Sequence, residues 1–220
     1  MTDDFVVSKT NKLRQIKELA AYDKPTIYKI VDAGLTCHVA FIQDGLPIVV
    51  PMIYGRHEDM IYLHGARKAR IIRLLENSNR VCINITLLDG IVYARSVFNS
   101  SMNYRSVTLF GEASLLNSSK EKLIAMKYIS ENTMPGRWDE VRPSHDKEVK
   151  MTGVISVKID SASAKISSGY PDDEDEDYAI PIWAGVLPIT TKIGKKKDDA
   201  RLSPDIKASK NILKMENKIL

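Results

Sequence analysis

The residues with the clearest chemical potential are three cations that follow the end of a predicted strand. Arg67, Lys68 and Arg70 come directly after His64 and Gly65, where strand periodicity gives way to helix periodicity. Cations are unfavourable where a helix begins, because the backbone there already carries about half a positive charge. An anion held by free N–H groups and these side chains would remove that penalty. The pattern therefore indicates a phosphate site, and a solvated basic face that tolerates the repulsion is the alternative.

Other familiar chemistries have no signature in this sequence. It contains no GxSxG, HExxH or P-loop motif, which disfavours the common hydrolase and NTPase classes. Cys37 and Cys82 are far apart and have no CxxC partner, so no metal site is predicted and both are expected to be free thiols in a reducing cytoplasm. The acidic run at residues 172–177 is expected to be a solvated loop.

Composition excludes several classes of partner. The 220 residues are 44% hydrophobic and 27% charged, as in ordinary globular proteins. The net charge of +4 comes from the C-terminus, because residues 188–220 carry +5 and residues 1–187 carry −1. A nucleic-acid-binding domain would place its basic stripe on the folded body, so no nucleic-acid partner is expected. No apolar run is long enough to span a membrane, and the acidic N-terminus has no signal-peptide pattern, so we expect a cytoplasmic protein without a membrane partner.

Hydrophobic periodicity predicts at least six antiparallel strands and few helices, which favours a β-barrel with flanking helices. The predicted strands are residues 36–42, 46–54, 60–64, 80–87, 91–98, 104–116, 154–167 and 183–192. The predicted helices are residues 13–22, 25–33, 66–76 and 118–134, with a short one after Ser144. Asp44-Gly45 and Leu88-Asp89-Gly90 are typical of turns between strands.

Residues 1–193 are expected to form one domain, and residues 194–220 a basic C-terminal tail. Ser203-Pro204-Asp205 is a typical helix start, and apolar residues follow it at near-heptad spacing. A helix docked on its own body or on a twin subunit is therefore predicted. A disordered tail and a basic membrane-surface helix are the alternatives.

Three segments resemble the pyridoxamine 5′-phosphate oxidase superfamily. Gly65-Ala66-Arg67-Lys68-Ala69 is similar to the family's Gly-Ser-Arg-Lys-Ala turn, whose Arg-Lys pair holds the FMN phosphate. The run from Met102 to Ala113 resembles the nitroimidazole-resistance and flavin-nucleotide-binding branch, and Pro181-Ile182-Trp183-Ala184-Gly185-Val186 resembles the last-strand motif. Because the three motifs occur in the family's order across residues 13–190, the resemblance is specific for the superfamily.

This resemblance implies an FMN-binding split β-barrel that works as a homodimer, with each flavin between two subunits. It also implies a flavin-dependent oxidoreductase that acts on an unknown small molecule. A non-enzymatic flavin-nucleotide carrier or sensor and a deazaflavin-dependent reductase remain as alternatives. A nucleic-acid-binding barrel that uses the lysine-rich tail is disfavoured, because aromatic residues make up only 7% of the chain.

The resemblance also implies roles for particular residues. Arg67 and Lys68 would bind the flavin phosphate, with Arg70 nearby and His64 and Gly65 lining the turn. The other implied flavin contacts are Val49, Val50, Pro51 and Met52 beside the ring, Asn103, Arg105 and Ser106 at the ring edge, and Trp183 from the second subunit. Hydrogen-bond donors at the ring edge would stabilise the negative charge of a reduced flavin.

Three departures from the family's sequence pattern limit the activity that is expected. Ala66 and Ser106 replace the family's serine and glutamine. Ile189 and Thr191 stand where the vitamin oxidases carry an Arg-x-His motif, so oxidation of pyridoxine phosphate is not expected. For His64 a structural role is favoured over a catalytic role or ligation of a metal or heme, and no catalytic residue is assigned.

Overall fold

The computed structural model describes residues 4–78 and 80–220. Their contacts divide the chain into two compact units. Residues 4–34, 83–110 and 160–190 form the first unit, and residues 35–82, 111–159 and 191–220 form the second.

Within the described residues the protein is mainly β, as the sequence predicted. The strands are β1 (Ala20–Ala21), β2 (Thr36–Gln43), β3 (Leu46–His57), β4 (Met60–Ala66), β5 (Val81–Tyr93), β6 (Ser101–Leu115), β7 (Thr152–Ser167) and β8 (Gly185–Pro188). The α-helices are α1 (Lys24–Ala33), α2 (Arg70–Glu76), α3 (Ser119–Thr133), α4 (Asp146–Met151) and α5 (Lys210–Met215). Short 3-10 helices span Lys17–Leu19 and Asp175–Ala179.

The second unit is organised around an antiparallel sheet in the order β7–β4–β3–β2. Asp44 and Gly45 both have positive φ, 51° and 77°, and form the predicted tight turn between β2 and β3. Helix α3 lies against β3 and β4 at very short range. A Cβ on Gly55 would lie 2.4 Å from a backbone carbon of Tyr128, so only glycine allows this approach.

The first unit contains α1 and two antiparallel groupings of strands. Strand β1 pairs with the C-terminal part of β7, and β5 lies between β8 and β6. The core of this unit is formed by buried aliphatic side chains. They include Ile27, Ile30 and Val31 of α1, Ile83, Ile85 and Val92 of β5, Val107 and Leu109 of β6, and Ala162 and Ala164 of β7.

The predicted turn at Leu88-Asp89-Gly90 is wrong, because β5 continues through these residues as one strand. Gly90 pairs with Pro188 of β8, and a Cβ there would lie 2.9 Å from the Cγ1 atom of Val186. The glycine therefore permits the close approach of a neighbouring strand. Glycine is also common in turns, and the local sequence does not distinguish these two roles.

Helix α2 begins four residues later than predicted. Ala66 still pairs with Thr152 of β7, and the Arg67 N–H donates to the Met151 carbonyl over 2.7 Å. Arg67 and Lys68 consequently lie in a turn before the helix, whereas Arg70 is its first residue. The tertiary pairing with β7 overrides the local helix propensity of the Ala-Arg-Lys-Ala segment.

Three further expectations need correction. Residues 13–22 form only the short 3-10 helix and β1, because Ala20 and Ala21 pair with β7. Of the strand predicted at 183–192, only β8 is a strand. In the tail, the helix does not begin at Ser203 but at Lys210, where the Ser209 hydroxyl accepts a hydrogen bond from the Ile212 N–H over 3.3 Å.

The tail contacts the rest of the second unit. Ser209 and Asn211 both donate to the Glu140 carboxylate, over 2.8 and 2.9 Å. The Ile193 N–H donates to the Lys218 carbonyl over 2.9 Å, which folds the end of the chain back on itself. No helix among the described residues is both long enough and apolar enough to cross a membrane.

Candidate functional site

The turn that carries Arg67 and Lys68 rests on two glycines of the second unit. Gly65 of β4 pairs directly with Gly153 of β7. A Cβ at Gly65 would lie 3.2 Å from the side chain of Ile72, and one at Gly153 would lie 2.5 Å from it. Ile72 is fully buried and belongs to α2. The paired glycines therefore let α2 and the turn before it approach the sheet closely, and this contact fixes the position of the cations.

The three cations of this turn differ in their partners. Arg67 forms an ion pair with Glu76 at the other end of α2, with an N–O distance of 3.0 Å. Arg70 donates to the Gln43 side-chain oxygen at the end of β2 over 2.6 Å. Lys68 is exposed and has no side-chain partner among the described residues. Arg67 and Arg70 are thus oriented by the protein, whereas the Lys68 ammonium is available to an anion.

Strand β3 presents an open edge in the same unit. Residues 46–53 pair with β2, whereas the ladder between β3 and β4 runs only from Tyr54↔Leu63 to His57↔Met60. Strand β4 pairs with β7 along its whole length, so its His64–Ala66 end has β7 as its partner and not β3. Within the described residues the two strands therefore separate where β3 reaches Val49 to Met52, which leaves backbone groups of β3 free to meet a ligand.

The side chains of this segment alternate between solvent and the sheet interior. Val49 is 59% exposed, and its pairing partner Ala40 lies on the same face. Pro51 is exposed and pairs with His38. Val50 and Met52 are less exposed and pair with the buried Val39 and Cys37. The exposed face is thus largely apolar, as a flat aromatic ring requires.

His64 is half-buried, and its Nδ1 atom is fully buried without a hydrogen-bond partner. Burial lowers the pKa of its imidazole below the ordinary value of 6.5, so the ring is neutral at pH 7. The residue pairs with Val154 of β7 and lies two positions from Tyr62, whose ring stacks on Tyr128 of α3. A neutral imidazole with an unpartnered nitrogen can accept a hydrogen bond or ligate a metal.

The two cysteines are poor nucleophiles. Cys37 is fully buried, and burial raises the pKa of its thiol to about 12. Burial also raises the pKa of the Cys82 thiol. Both groups are therefore protonated at neutral pH, and thiolate chemistry is not expected from either.

Arg105 lies in the first unit, in a bidentate ion pair. Its Nε and Nη2 atoms donate to the two oxygens of Asp89 over 2.8 and 2.7 Å. This hydrogen bonding raises the pKa of the guanidinium. Asp89 belongs to the segment that was predicted as a turn, so the partner of Arg105 could not be inferred from spacing.

The other predicted residues of the first unit are also held by neighbours. Ser106 lies 2.9 Å from the Thr86 hydroxyl and accepts from Asn84 over 3.2 Å. Asn103 donates to the Gly169 carbonyl over 2.9 Å. Trp183 is 64% exposed, and a Cβ on Gly185 would lie 2.9 Å from its ring. These contacts orient the side chains, and Trp183 keeps a large apolar surface in water.

Sequence reasoning missed a buried charge cluster in the first unit. Asp173, expected in a solvated loop, has a fully buried side chain and forms an ion pair with Arg95 at 3.0 Å. It also accepts from the Arg95 backbone N–H, and the Arg95 guanidinium lies 4.7 Å from the centre of the Tyr178 ring. The only signal in the sequence was a tyrosine close to the acidic run, which is too weak to identify the pair.

The mainly antiparallel sheet with its flanking helices belongs to the split β-barrel class. Residues 23–166 match the family model described as pyridoxamine 5′-phosphate oxidase. The chain belongs to this family, and its split β-barrel fold is the one predicted from sequence. A search among curated proteins gave no match.

Two solved structures resemble the chain over nearly its whole length. The flavocytochrome Anf3 from Azotobacter vinelandii is 37% identical, with a TM-score of 0.89, and the match covers 96% of this chain and 98% of that one. The FAD and heme binding protein from Mycobacterium smegmatis is 32% identical, with a TM-score of 0.86 and coverage of 90% and 98%. A candidate 5-nitroimidazole antibiotic resistance protein from Bacteroides thetaiotaomicron is 27% identical, with a TM-score of 0.59 and coverage of 67% and 86%.

Proposed function

We propose that this protein is a flavin-dependent oxidoreductase that binds a flavin nucleotide through the Arg67-Lys68 turn and the open edge of β3. The observation that carries the proposal is the exposed Lys68, which has no side-chain partner among the described residues, next to an Arg67 held in place by its ion pair with Glu76. The paired Gly65 and Gly153 let this turn approach the sheet closely. These features suit a dianionic phosphate, because charge-assisted hydrogen bonds are the strongest that side chains offer.

The remaining residues fit the shape of a flavin. The exposed face at Val49 and Pro51 is apolar, and the free edge of β3 can meet the polar rim of the ring. A bound flavin supplies electron transfer in steps of one or two electrons, and the chain's own residues supply binding and orientation. FMN and FAD share the phosphate that Arg67 and Lys68 would bind. The sequence resemblance favours FMN, whereas one similar structure is of an FAD-binding protein.

A heme is the second cofactor that we propose. It is supported by the two full-length similarities, one to a flavocytochrome and one to a protein that binds FAD and heme. His64 is the residue that would hold the heme iron, because its imidazole is neutral and its Nδ1 atom has no hydrogen-bond partner among the described residues. These observations favour ligation over the purely structural role that the sequence predicts for His64, and a flavin carrier without heme becomes the alternative.

We further propose a homodimer in the cytoplasm. Ile42, Leu46 and Val49 of the β2–β3 hairpin are 66, 64 and 59% exposed, which favours burial against a second copy. The two cysteines are free, as in proteins of reducing compartments.

The direct test is the absorbance spectrum of freshly purified protein, followed by extraction and chromatography of the chromophores. Flavin and heme bands are expected together, and the released flavin distinguishes FMN from FAD. Reduction by NAD(P)H or dithionite, with reoxidation by an acceptor, would support an enzyme, whereas binding without turnover would support a carrier. A colourless protein that binds neither cofactor would overturn the proposal.

Replacement of both phosphate-binding cations provides a first prediction. The Arg67→Ala/Lys68→Ala variant should bind flavin at least about 100-fold more weakly, because charge-assisted contacts contribute about 1.5–3 kcal/mol each. Equilibrium titration of flavin-stripped protein with FMN and with FAD measures the change. Arg73→Ala is the control, because Arg73 is an exposed cation of α2, the helix that follows this turn, and was not assigned to the site. Equal losses in both variants, or none in the double variant, would contradict the assignment.

A further inference from the structure

A second group of cations surrounds a cavity in the first unit. The cavity has a volume of about 600 Å³ and is lined by residues of the N-terminal segment. The lining residues are Val7, Ser8, Lys9, Lys12, Arg14 and Lys17. Four of these described residues are cations and none is acidic. We call this feature the N-terminal basic cavity.

No carboxylate among the described residues pairs with the cations of the N-terminal basic cavity. Among the described residues, the side chains of Lys9, Lys12, Arg14 and Lys17 form no hydrogen bond or ion pair. Arg67, Arg95 and Arg105, in contrast, each have a carboxylate partner. Four like charges around one cavity repel one another and attract an anion, since their potentials add.

The backbone beneath these cations is held in place by a buried asparagine. Asn11 is 2% exposed and donates to the Val6 and Ala162 carbonyls over 3.1 and 2.9 Å. Its side-chain oxygen accepts from the Ser8 N–H over 2.7 Å, and the Lys12 N–H donates to the Ser8 carbonyl over 3.1 Å. Lys9 and Lys12 therefore project from an ordered loop, which lowers the entropic cost of binding a ligand.

Ile16 has a backbone conformation that is unusual for isoleucine, and the turn that it forms brings Lys17 to the same cavity. Ile16 has φ 51° and ψ 61°, in the left-handed region that β-branched residues avoid. Its side chain is 53% exposed, so burial of isoleucine does not explain the conformation. The turn at Ile16 lies between Arg14 and Lys17, which both line the cavity. Strain of this kind is frequently retained at functional sites.

From this charge, volume and loop geometry we propose that the N-terminal basic cavity binds an organic anion with two or more phosphates, of the size of a nucleotide. All six lining residues are exposed, so this is an open surface cavity, and its volume of about 600 Å³ can accommodate an anion of this size. Four cations suit the charge of a diphosphate or triphosphate, whereas a monophosphate would leave most of them unpaired. The proposal does not depend on the flavin assignment, because none of the lining residues was assigned to the flavin.

The test is calorimetric titration of the full-length, cofactor-loaded protein with ADP, inorganic pyrophosphate and adenosine. ADP and pyrophosphate should bind, adenosine should not, and the affinity should fall as salt is raised. The Lys12→Gln/Arg14→Gln variant should bind ADP at least about 10-fold more weakly. Both side chains are exposed and unpartnered, so the fold should tolerate the change. Lys195→Gln/Lys197→Gln removes the same charge from the tail and is the matched control.

Three outcomes would overturn the proposal. The first is no binding of ADP or pyrophosphate to the unmodified protein, and the second is an equal loss of affinity in the tail variant, which would indicate a general charge effect. The third is a reduced flavin content in the Lys12→Gln/Arg14→Gln protein, because the cavity would then belong to the flavin site. Flavin content, read from the absorbance spectrum, thus separates failure of this proposal from failure of the proposed function.

Discussion

At the scale of single residues, the chemistry of the candidate site depends on which polar groups the protein leaves without a partner. Arg67 and Arg70 are held by Glu76 and Gln43, whereas Lys68 has no side-chain contact among the described residues. The Nδ1 atom of His64 is buried and also lacks a partner. A buried polar atom without a partner is costly unless a ligand completes it, which applies to His64. Lys68 is exposed and remains hydrated until an anion binds it.

The role of His64 can be tested by its removal. His64→Leu should abolish the heme absorbance band, because it removes the proposed iron ligand, while the protein remains folded. The fold should tolerate the change, since replacing a buried polar group that has no partner with an apolar one of similar size is nearly neutral. Absorbance spectra after heme reconstitution, with circular dichroism to verify the fold, measure both effects.

His38→Leu is the control for this experiment, because His38 is an exposed histidine of β2 in the same sheet. It should keep its heme band. Loss of the heme band in His38→Leu but not in His64→Leu, or heme bands in both proteins, would exclude His64 as the ligand.

At the scale of secondary-structure elements, a capping residue determines where α1 of the first unit begins. The Asp23 carboxylate accepts from the Thr26 N–H over 2.8 Å at the start of α1, and Pro25 occupies the first turn. Hydrogen bonds from the Thr26 side chain and backbone lower the pKa of Asp23 below its ordinary value of 3.8. The ionised carboxylate therefore stabilises the folded protein.

The cap gives a prediction with a defined dependence on pH. Asp23→Ala should lower the free energy of unfolding by about 1 kcal/mol at neutral pH. Because the pKa of Asp23 is lower in the folded state, its stabilisation is complete above the unfolded pKa near 3.8 and is lost as pH falls through the folded value.

Urea unfolding at a series of pH values between about 6 and 3 measures this effect. Asp23→Asn keeps a capping oxygen without the charge, so it should lose less stability than Asp23→Ala at neutral pH and show a shallower decline in acid than the wild type. Identical pH profiles for the Asp23→Asn variant and the wild type would contradict the assignment of the cap.

At the scale of the whole molecule, the exposed apolar hairpin of β2 and β3 predicts self-association. Ala40 pairs with Val49, and Ile42 pairs with Pro47, so their side chains form one apolar face. Stable dimers bury about 1,200–2,000 Å² in total. An apolar face on a regular pair of strands is well suited to contribute to such an interface.

Val49→Lys should therefore convert a dimer to a monomer and reduce flavin content, because it places a charge on the proposed interface beside the ring. Light scattering coupled to size-exclusion chromatography measures the mass, and absorbance measures the flavin. Ile206→Lys is the control, since Ile206 is 58% exposed in the tail and should leave both unchanged. A monomeric wild type would refute the dimer proposal.

The sequence by itself determined the elements whose signals are local. Asp44-Gly45 predicted the hairpin because few residues other than glycine and asparagine or aspartate adopt positive φ. Ser118 and Ser119 predicted the start of α3 because serine caps helices, and the structure identifies Ser118 as the cap. The order of the Arg67-Lys68, Met102–Ala113 and Trp183 motifs identified the family, because such motifs keep their positions along the chain.

Only the tertiary structure decided how residues distant in sequence are paired. Strand β5 continues through Gly90, where β8 approaches it, and Arg105 forms an ion pair with Asp89. Asp173 is buried against Arg95. Asn11 anchors the N-terminal basic cavity through the Ala162 carbonyl, 151 positions away. Contacts of this kind depend on packing between separate elements, and no local pattern of residues encodes which partner will be found.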